Sequence, residues 1–241
     1  MEFKTKLIEK RNEAKGTKTF VFEKPIEFEC APGQYCDFTL SELKYPDERG
    51  ATRHFTLSSS PTEPYLTLTT RIRQESGYKK TLDELPIGAE INVRGPSGVF
   101  VLEDERTTVP QVMIAGGIGI TPFRSIIKYV SDKNLSVPIQ LVYSNSIPEE
   151  ITFKNELDNI TASHPNIKIT YTITKPEESQ VPWDGPTGRV DENFIQSLIS
   201  NLKSPIFWLC GPPAFVDAME EILNSMQISQ ERIKIDKFTG Y

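Results

Sequence analysis

From Met1 to about Leu102 apolar and polar positions alternate in short runs, as in Lys18–Phe22 (KTFVF), Tyr65–Thr70 (YLTLTT) and Ala89–Val93 (AEINV). Turn residues separate them: Pro32-Gly33, Pro86-Ile87-Gly88 and Gly95-Pro96-Ser97-Gly98. A period of two between such turns predicts half-buried strands, and a succession of them predicts a small antiparallel barrel. After the charged stretch Glu103-Asp104-Glu105-Arg106 the period lengthens. Apolar runs at Gln111–Ala115, Pro138–Tyr143, Ile167–Ile173, Pro205–Cys210 and Arg232–Asp236 read as strands. Between them, Phe123, Ile126, Ile127 and Val130, then Phe153, Leu157 and Ile160, then Phe194, Ile195 and Leu198, then Phe215, Met219, Ile222, Leu223 and Met226 recur at helical spacing. This predicts an α/β domain with a five-stranded parallel doubly wound sheet, whose ligands lie at the carboxyl ends of the strands. The expected division is a barrel domain over residues 1–104 and an α/β domain over residues 105–241, with no internal repeat.

With 241 residues, 37% of them hydrophobic, the chain can bury a substantial core. Its net charge of −6 argues against nucleic acid as the main partner, which would require a broad basic face. No apolar run approaches the roughly 20 residues of a membrane span, and Met1–Lys10 is too charged for a signal peptide, so a cytoplasmic location is expected. Three cysteines without a C-x-x-C and only two histidines argue against a resident iron–sulfur cluster and a histidine-rich metal site. His54 and His164 are therefore read as solvated or packed and not as metal ligands.

The candidate chemistry begins in AGGIGITPF, Ala115–Phe123. A triphosphate-binding loop would continue as Gly-Lys-Ser/Thr, but Gly119 is followed by Ile120-Thr121-Pro122, and Pro122 occupies the third glycine place of G-x-G-x-x-G. Strand, glycine turn and helix in this order still aim backbone N–H groups at an anion, with Thr121 suited to an N-cap and Pro122 to the first helical position. In Arg53-His54-Phe55-Thr56 an arginine fork suits a phosphate, a ring suits stacking on a flat cofactor, and a hydroxyl suits a ring nitrogen. Leu209-Cys210-Gly211-Pro212-Pro213 repeats the strand-to-helix turn and places a thiol at a strand's carboxyl end. Taken singly, these stretches also fit a plain strand-to-helix turn, an edge strand and a core cysteine.

Taken in order, R-x-F-T, G-G-x-G-x-T-P and C-G-P-P resemble the ferredoxin–NADP⁺ reductase superfamily, whose members join a flavin-binding barrel to a nicotinamide dinucleotide domain. The resemblance runs from Pro32-Gly33-Gln34-Tyr35 to Phe238-Thr239-Gly240-Tyr241. It implies that Arg53 holds a flavin phosphate, that Phe55 stacks on the flavin ring, and that Thr56 lies near flavin N5. It further implies that Gly116, Gly117, Gly119, Ile120, Thr121 and Pro122 hold the dinucleotide pyrophosphate, and that Cys210, with Gly211 and Pro212, lies by the nicotinamide. Thr56 and Cys210 are the implied catalytic residues. His54, Arg71, Ile72, Arg73, Lys79, Lys80, Thr81 and Tyr241 complete the implied cofactor-binding set.

Where many members carry G-x-x-S for the flavin pyrophosphate, this chain has Ser76-Gly77-Tyr78-Lys79, and a lysine there favours FAD over FMN. Gly240, and not an acid, precedes Tyr241, which leaves the family's C-terminal acid unassigned. Lys175 tilts the donor from NADH toward NADPH. With no cluster, haem-attachment motif or span of its own, the chain is expected to pass electrons to an external carrier such as a ferredoxin, a flavodoxin or another redox protein. The alternative is a non-catalytic electron-transfer subunit of a larger complex. Arg71, Arg73, Lys79, Lys80 and Arg94 form a basic cluster that reads as a solvated face, a flavin-phosphate site or a surface for an acidic carrier.

Overall fold

The computed structural model describes residues 1–239. Tyr241 and Gly240, singled out above, lie outside the described residues.

The N-terminal half is a six-stranded antiparallel sheet built from β1 (Glu2–Ala14), β2 (Thr17–Glu23), β3 (Tyr35–Thr39), β4 (Thr52–Thr56), β5 (Tyr65–Arg71) and β6 (Glu90–Ser97), in the order β4-β3-β6-β1-β2-β5. A bridge between Leu57 and Leu68 joins the two ends and closes the barrel. Alternation dictates its filling: Leu7, Phe20, Phe22, Phe38, Leu66 and Leu68 point inward and are fully buried. Between β5 and β6 the chain forms α1 (Gly77–Glu84), which buries Tyr78 and Leu82 against the barrel core, the Tyr78 hydroxyl donating to the Phe38 carbonyl at 3.0 Å. The Ser76-Gly77-Tyr78-Lys79 stretch, expected to receive a phosphate, is the capped start of this helix, with Ser76 Oγ accepting from the Lys79 N–H.

The C-terminal half carries β7 (Gln111–Gly116), β8 (Ile139–Asn145), β9 (Ile167–Ile173), β10 (Ile206–Gly211) and β11 (Ile233–Lys237) as an all-parallel sheet in the order β11-β10-β7-β8-β9. Four helices cover it: α2 (Ile120–Asp132), α3 (Lys154–Ser163), α4 (Glu192–Ile199) and α5 (Pro213–Ser225). Their apolar stripes supply one cluster with Phe123, Ile126 and Leu157, and another with Ile195, Val216 and Leu223. The chain enters at β7 and then runs outward in both directions, which puts the topological switch point between β7 and β10. Phe100, which follows β6, packs against Phe123 and Trp208 at ring separations of 5.7 and 5.0 Å, so the end of the barrel is embedded in the core of the sheet domain. Among the described residues no helix is long and apolar enough to cross a membrane.

Candidate cofactor-binding site

The loop after β7 turns tightly through Gly117–Gly119, and α2 starts directly from Gly119 as its N-cap. The helix therefore begins earlier than the motif suggests. Thr121 is not the cap: its hydroxyl donates back to the Ile118 carbonyl at 3.2 Å, while Pro122 lies within the first turn, where its missing N–H costs no helical bond. Gly119 is required by close approach, since a Cβ there would lie 2.3 Å from the Cys210 carbonyl oxygen and 2.6 Å from the Gly211 nitrogen. Gly117 has φ +53, and a Cβ on it would sit 3.4 Å from an Arg71 guanidinium nitrogen. Gly116 ends β7 and Gly211 ends β10, the two loops of the switch point touch, and Arg71 of β5 lies over Gly117.

Against this corner lies a cleft of about 260 Å³ whose walls come from both halves. The barrel contributes Arg53, His54, Phe55 and Thr56 from β4, Thr69 and Thr70 from β5, and Tyr35, Arg49 and Lys79. The sheet domain contributes Ile118 and Thr121 from the loop and Asp236–Thr239 from the end of β11. Thr56 is buried, and Phe55 is backed by Phe38 and Tyr78 at 6.1 and 5.9 Å. One strand thus presents a hydroxyl and an aromatic ring that is held from behind.

Cations concentrate at this cleft. Burial, and then the positive charges of Arg73, Arg49, Arg53 and Arg71, push the Lys79 ammonium down to about 8. So many like charges around one buried lysine are what a polyanion such as a pyrophosphate would relieve. Arg53 is largely occupied with the protein: its Nη1 donates to the carbonyls of Arg49, Gly50 and Thr52 at 2.7–2.8 Å, and its Nη2 pairs with Asp47. The Asp47 carboxylate also accepts from the Tyr78 N–H at 2.9 Å and the Arg49 N–H at 3.1 Å. Burial alone would raise this carboxyl, but the N–H donors of Tyr78 and Arg49 and the charge of Arg53 outweigh it and hold the group below its usual range. Arg53 thus builds the loop that brings Arg49 to the cleft. The first N–H groups of α1 are meanwhile taken by Asp47 and Ser76.

Of the residues singled out in the sequence, the cleft gathers Arg53, His54, Phe55, Thr56, Lys79 and Thr121. Ile72 packs against the barrel core. Thr81 donates to the Gly77 carbonyl within α1, and Lys80 lies 4.0 Å from the Tyr45 ring, so neither lines the cleft. Arg71 pairs with Glu150 at 2.8 Å across the two halves. Because Lys79 is buried and Arg71 is paired, the basic cluster is not one open docking face. Cys210 is fully buried in the sheet core behind the loop, and burial pushes its thiol well up, so it is a neutral group. Pro212 is the N-cap of α5, and Pro213 takes the first helical position, where a missing N–H costs no helical bond.

Sequence reasoning missed Tyr35, Arg49 and Asp236. Asp236 pairs in register with Cys210, lines the cleft, and is raised above the usual carboxylate range by burial, with His54 opposing. Only the strand order reveals it, because its neighbours come from β10 and β4.

Comparison with known proteins matches the two halves separately. Residues 4–102 match the oxidoreductase FAD-binding domain family, and residues 113–221 match the oxidoreductase NAD-binding domain family. The glycine betaine monooxygenase reductase subunit of Chromohalobacter salexigens is 30% identical over 87% of this chain and 56% of its own length. The NADH-cytochrome b5 reductase 1 of Neosartorya fischeri is 30% identical over 88% of this chain and 70% of its own. This chain therefore spans just over half of the first relative and about 70% of the second. A ferredoxin NADP⁺ reductase from Neisseria gonorrhoeae, solved with bound FAD and NADP, shares the fold at a TM-score of 0.82 and 18% identity, with 98% of each chain covered.

Proposed function

The chain belongs to the ferredoxin–NADP⁺ reductase superfamily of FAD- and nicotinamide-dependent oxidoreductases, and from this premise we propose that it draws electrons from NADH or NADPH through bound FAD to a separate electron carrier. The observation that carries the reading is the cleft at the switch point, walled on one side by β4 and on the other by the Gly117–Gly119 loop. FAD, when bound, takes two electrons at once from a nicotinamide and releases them singly. The chain's own residues orient and enclose. Arg49 and Lys79 supply positive charge for the flavin phosphates, and Phe55 and Thr56 face the ring system. Ile118 and Thr121 present the dinucleotide loop, and Phe238 covers the cleft from the end of β11. Cys210 acts from behind the loop by packing, as a neutral thiol. Both dinucleotides stay in the proposal, because Lys175, which argued for NADPH, is paired with Glu178 at 2.7 Å beside Glu177.

The carrier is a separate redox protein. The relatives' names point to a ferredoxin, a cytochrome b5-like protein or a monooxygenase partner as its class. The FAD-loaded chain is expected to oxidise NADH or NADPH continuously with an artificial one-electron acceptor, at an ordinary enzymatic rate of roughly 1–1,000 per second. A chain that holds FAD yet turns over only inside a larger assembly would favour a non-catalytic electron-transfer subunit.

A further inference from the structure

Away from the cleft, a buried arginine joins the two halves. Arg124, on α2, is 9% exposed. Its guanidinium donates to the Ser58 carbonyl at 2.9 Å and grips Glu63 through two nitrogens, one of them at 3.0 Å. On the other side it holds Glu156 of α3 through Nε at 2.9 Å and Nη2 at 2.5 Å. Next to it, Ser125 Oγ donates to the Ser59 carbonyl at 2.7 Å. Burial opposes the guanidinium charge, but the hydrogen bonds to Glu63 and Glu156 outweigh it, so the group is firmly cationic. Beneath it lies the Phe153 ring, 5.5 Å from the guanidinium carbon. Phe153 adopts φ +63, a conformation that a bulky side chain takes only where its surroundings impose it.

The position of this assembly matters more than its strength. Ser58 lies two residues beyond Thr56, and Arg124 three residues beyond Thr121. The clamp therefore links the strand that faces the flavin to the helix that starts at the dinucleotide loop, each within a few residues of the cleft. We propose that Arg124, through Glu63 and the Ser58 carbonyl, is a positioning residue that sets the spacing between the flavin-facing strand and the dinucleotide loop. A reaction between two bound rings depends steeply on their separation, and a displacement of about 1 Å can cost on the order of a hundredfold in rate. Glu156 has a different task, because it anchors Arg124 within the sheet domain and does not cross between the halves.

The inference rests on the proposed function and is tested on the FAD-loaded protein by single-turnover reduction at varied NADH and NADPH. Arg124→Met and Glu63→Ala should each lower the limiting reduction rate about tenfold or more, while the apparent dissociation constant for the dinucleotide changes less than about threefold. Combined, they should cost little more than either alone, because they remove one contact. Glu156→Gln should reduce at close to the wild-type rate. A purely structural arginine would lower thermal stability in all these variants without separating limiting rate from affinity. If Arg124→Met does not retain FAD, Arg124→Lys carries the same criterion, since it keeps the charge but cannot grip Glu63 and Ser58 together. A limiting rate within twofold of wild type in a variant that keeps its flavin would overturn the positioning role. A wild-type protein that NADH and NADPH both fail to reduce would instead count against the proposed function.

Discussion

Arg53→Ala is expected to yield a chain that folds poorly and retains little flavin. The guanidinium is buried against an equally buried Asp47 carboxylate, with side-chain exposures of 9% and 8%. Removing one partner of such a pair leaves an uncompensated buried charge, a loss of about 3–5 kcal/mol. It also releases the carbonyls of Arg49, Gly50 and Thr52, and with them the loop that carries Arg49 to the cleft. A lost charge-assisted contact to phosphate adds about 1.5–3 kcal/mol to the cost of binding, which is roughly a tenfold to hundredfold weaker FAD. Thermal denaturation of the flavin-free protein and FAD titration by fluorescence measure the two parts separately. Because Arg53 acts mainly through the loop, Asp47→Asn should reproduce part of the stability loss, since it removes the charge paired with Arg53. An Arg53→Ala protein with wild-type stability and flavin content would take this loop out of the site.

Gly119→Ala is expected to act on the other cofactor. The added methyl would meet the backbone of Cys210 and Gly211 at 2.3–2.6 Å, and neither is a flexible side-chain end that could turn away. The loop after β7 and the end of β10 must then separate by something near 1 Å, which displaces the N-terminus of α2. Reduction of bound flavin by NADH or NADPH should slow by about a hundredfold. Flavin content should change little, because Arg49, Lys79 and Phe55 all belong to the barrel. Rapid-mixing reduction measures the rate, and the visible spectrum of the purified variant reports the flavin. A rate within about threefold of wild type would show that the contact between the two loops has no part in dinucleotide binding.

The sheet domain was legible because parallel strands buried on both faces read as unbroken apolar runs. Val112, Met113, Ile114 and Ala115 are all fully buried, and the observed β7 exceeds the expected strand by one residue. The barrel was legible as a class but less so in its parts. β1 runs 13 residues through EFKTKLIEKRNEA, where Thr5 and Leu7 are buried among outward lysines and glutamates, so the charged face hides the strand. α1 was hidden for another reason: Ser76-Gly77-Tyr78-Lys79 fits a phosphate turn as well as a capped helix, and the contact that decides between them is a carboxylate 31 residues away, Asp47. The same limit applies to the site. Motif residues on one strand, Arg53 to Thr56, could be read together, whereas Asp236 and Arg124 acquire their surroundings only from strand order and from the packing of the two halves.

The proposed function requires one cleft to bring a flavin and a nicotinamide dinucleotide together for electron transfer. Its most direct test is anaerobic titration of the FAD-loaded protein with NADH and with NADPH, followed in the visible flavin band. The structure predicts that at least one dinucleotide bleaches the band fully at about one equivalent per flavin, as a two-electron transfer requires. A protein that binds FAD tightly, yet keeps an unbleached flavin spectrum under an excess of both dinucleotides, would contradict it.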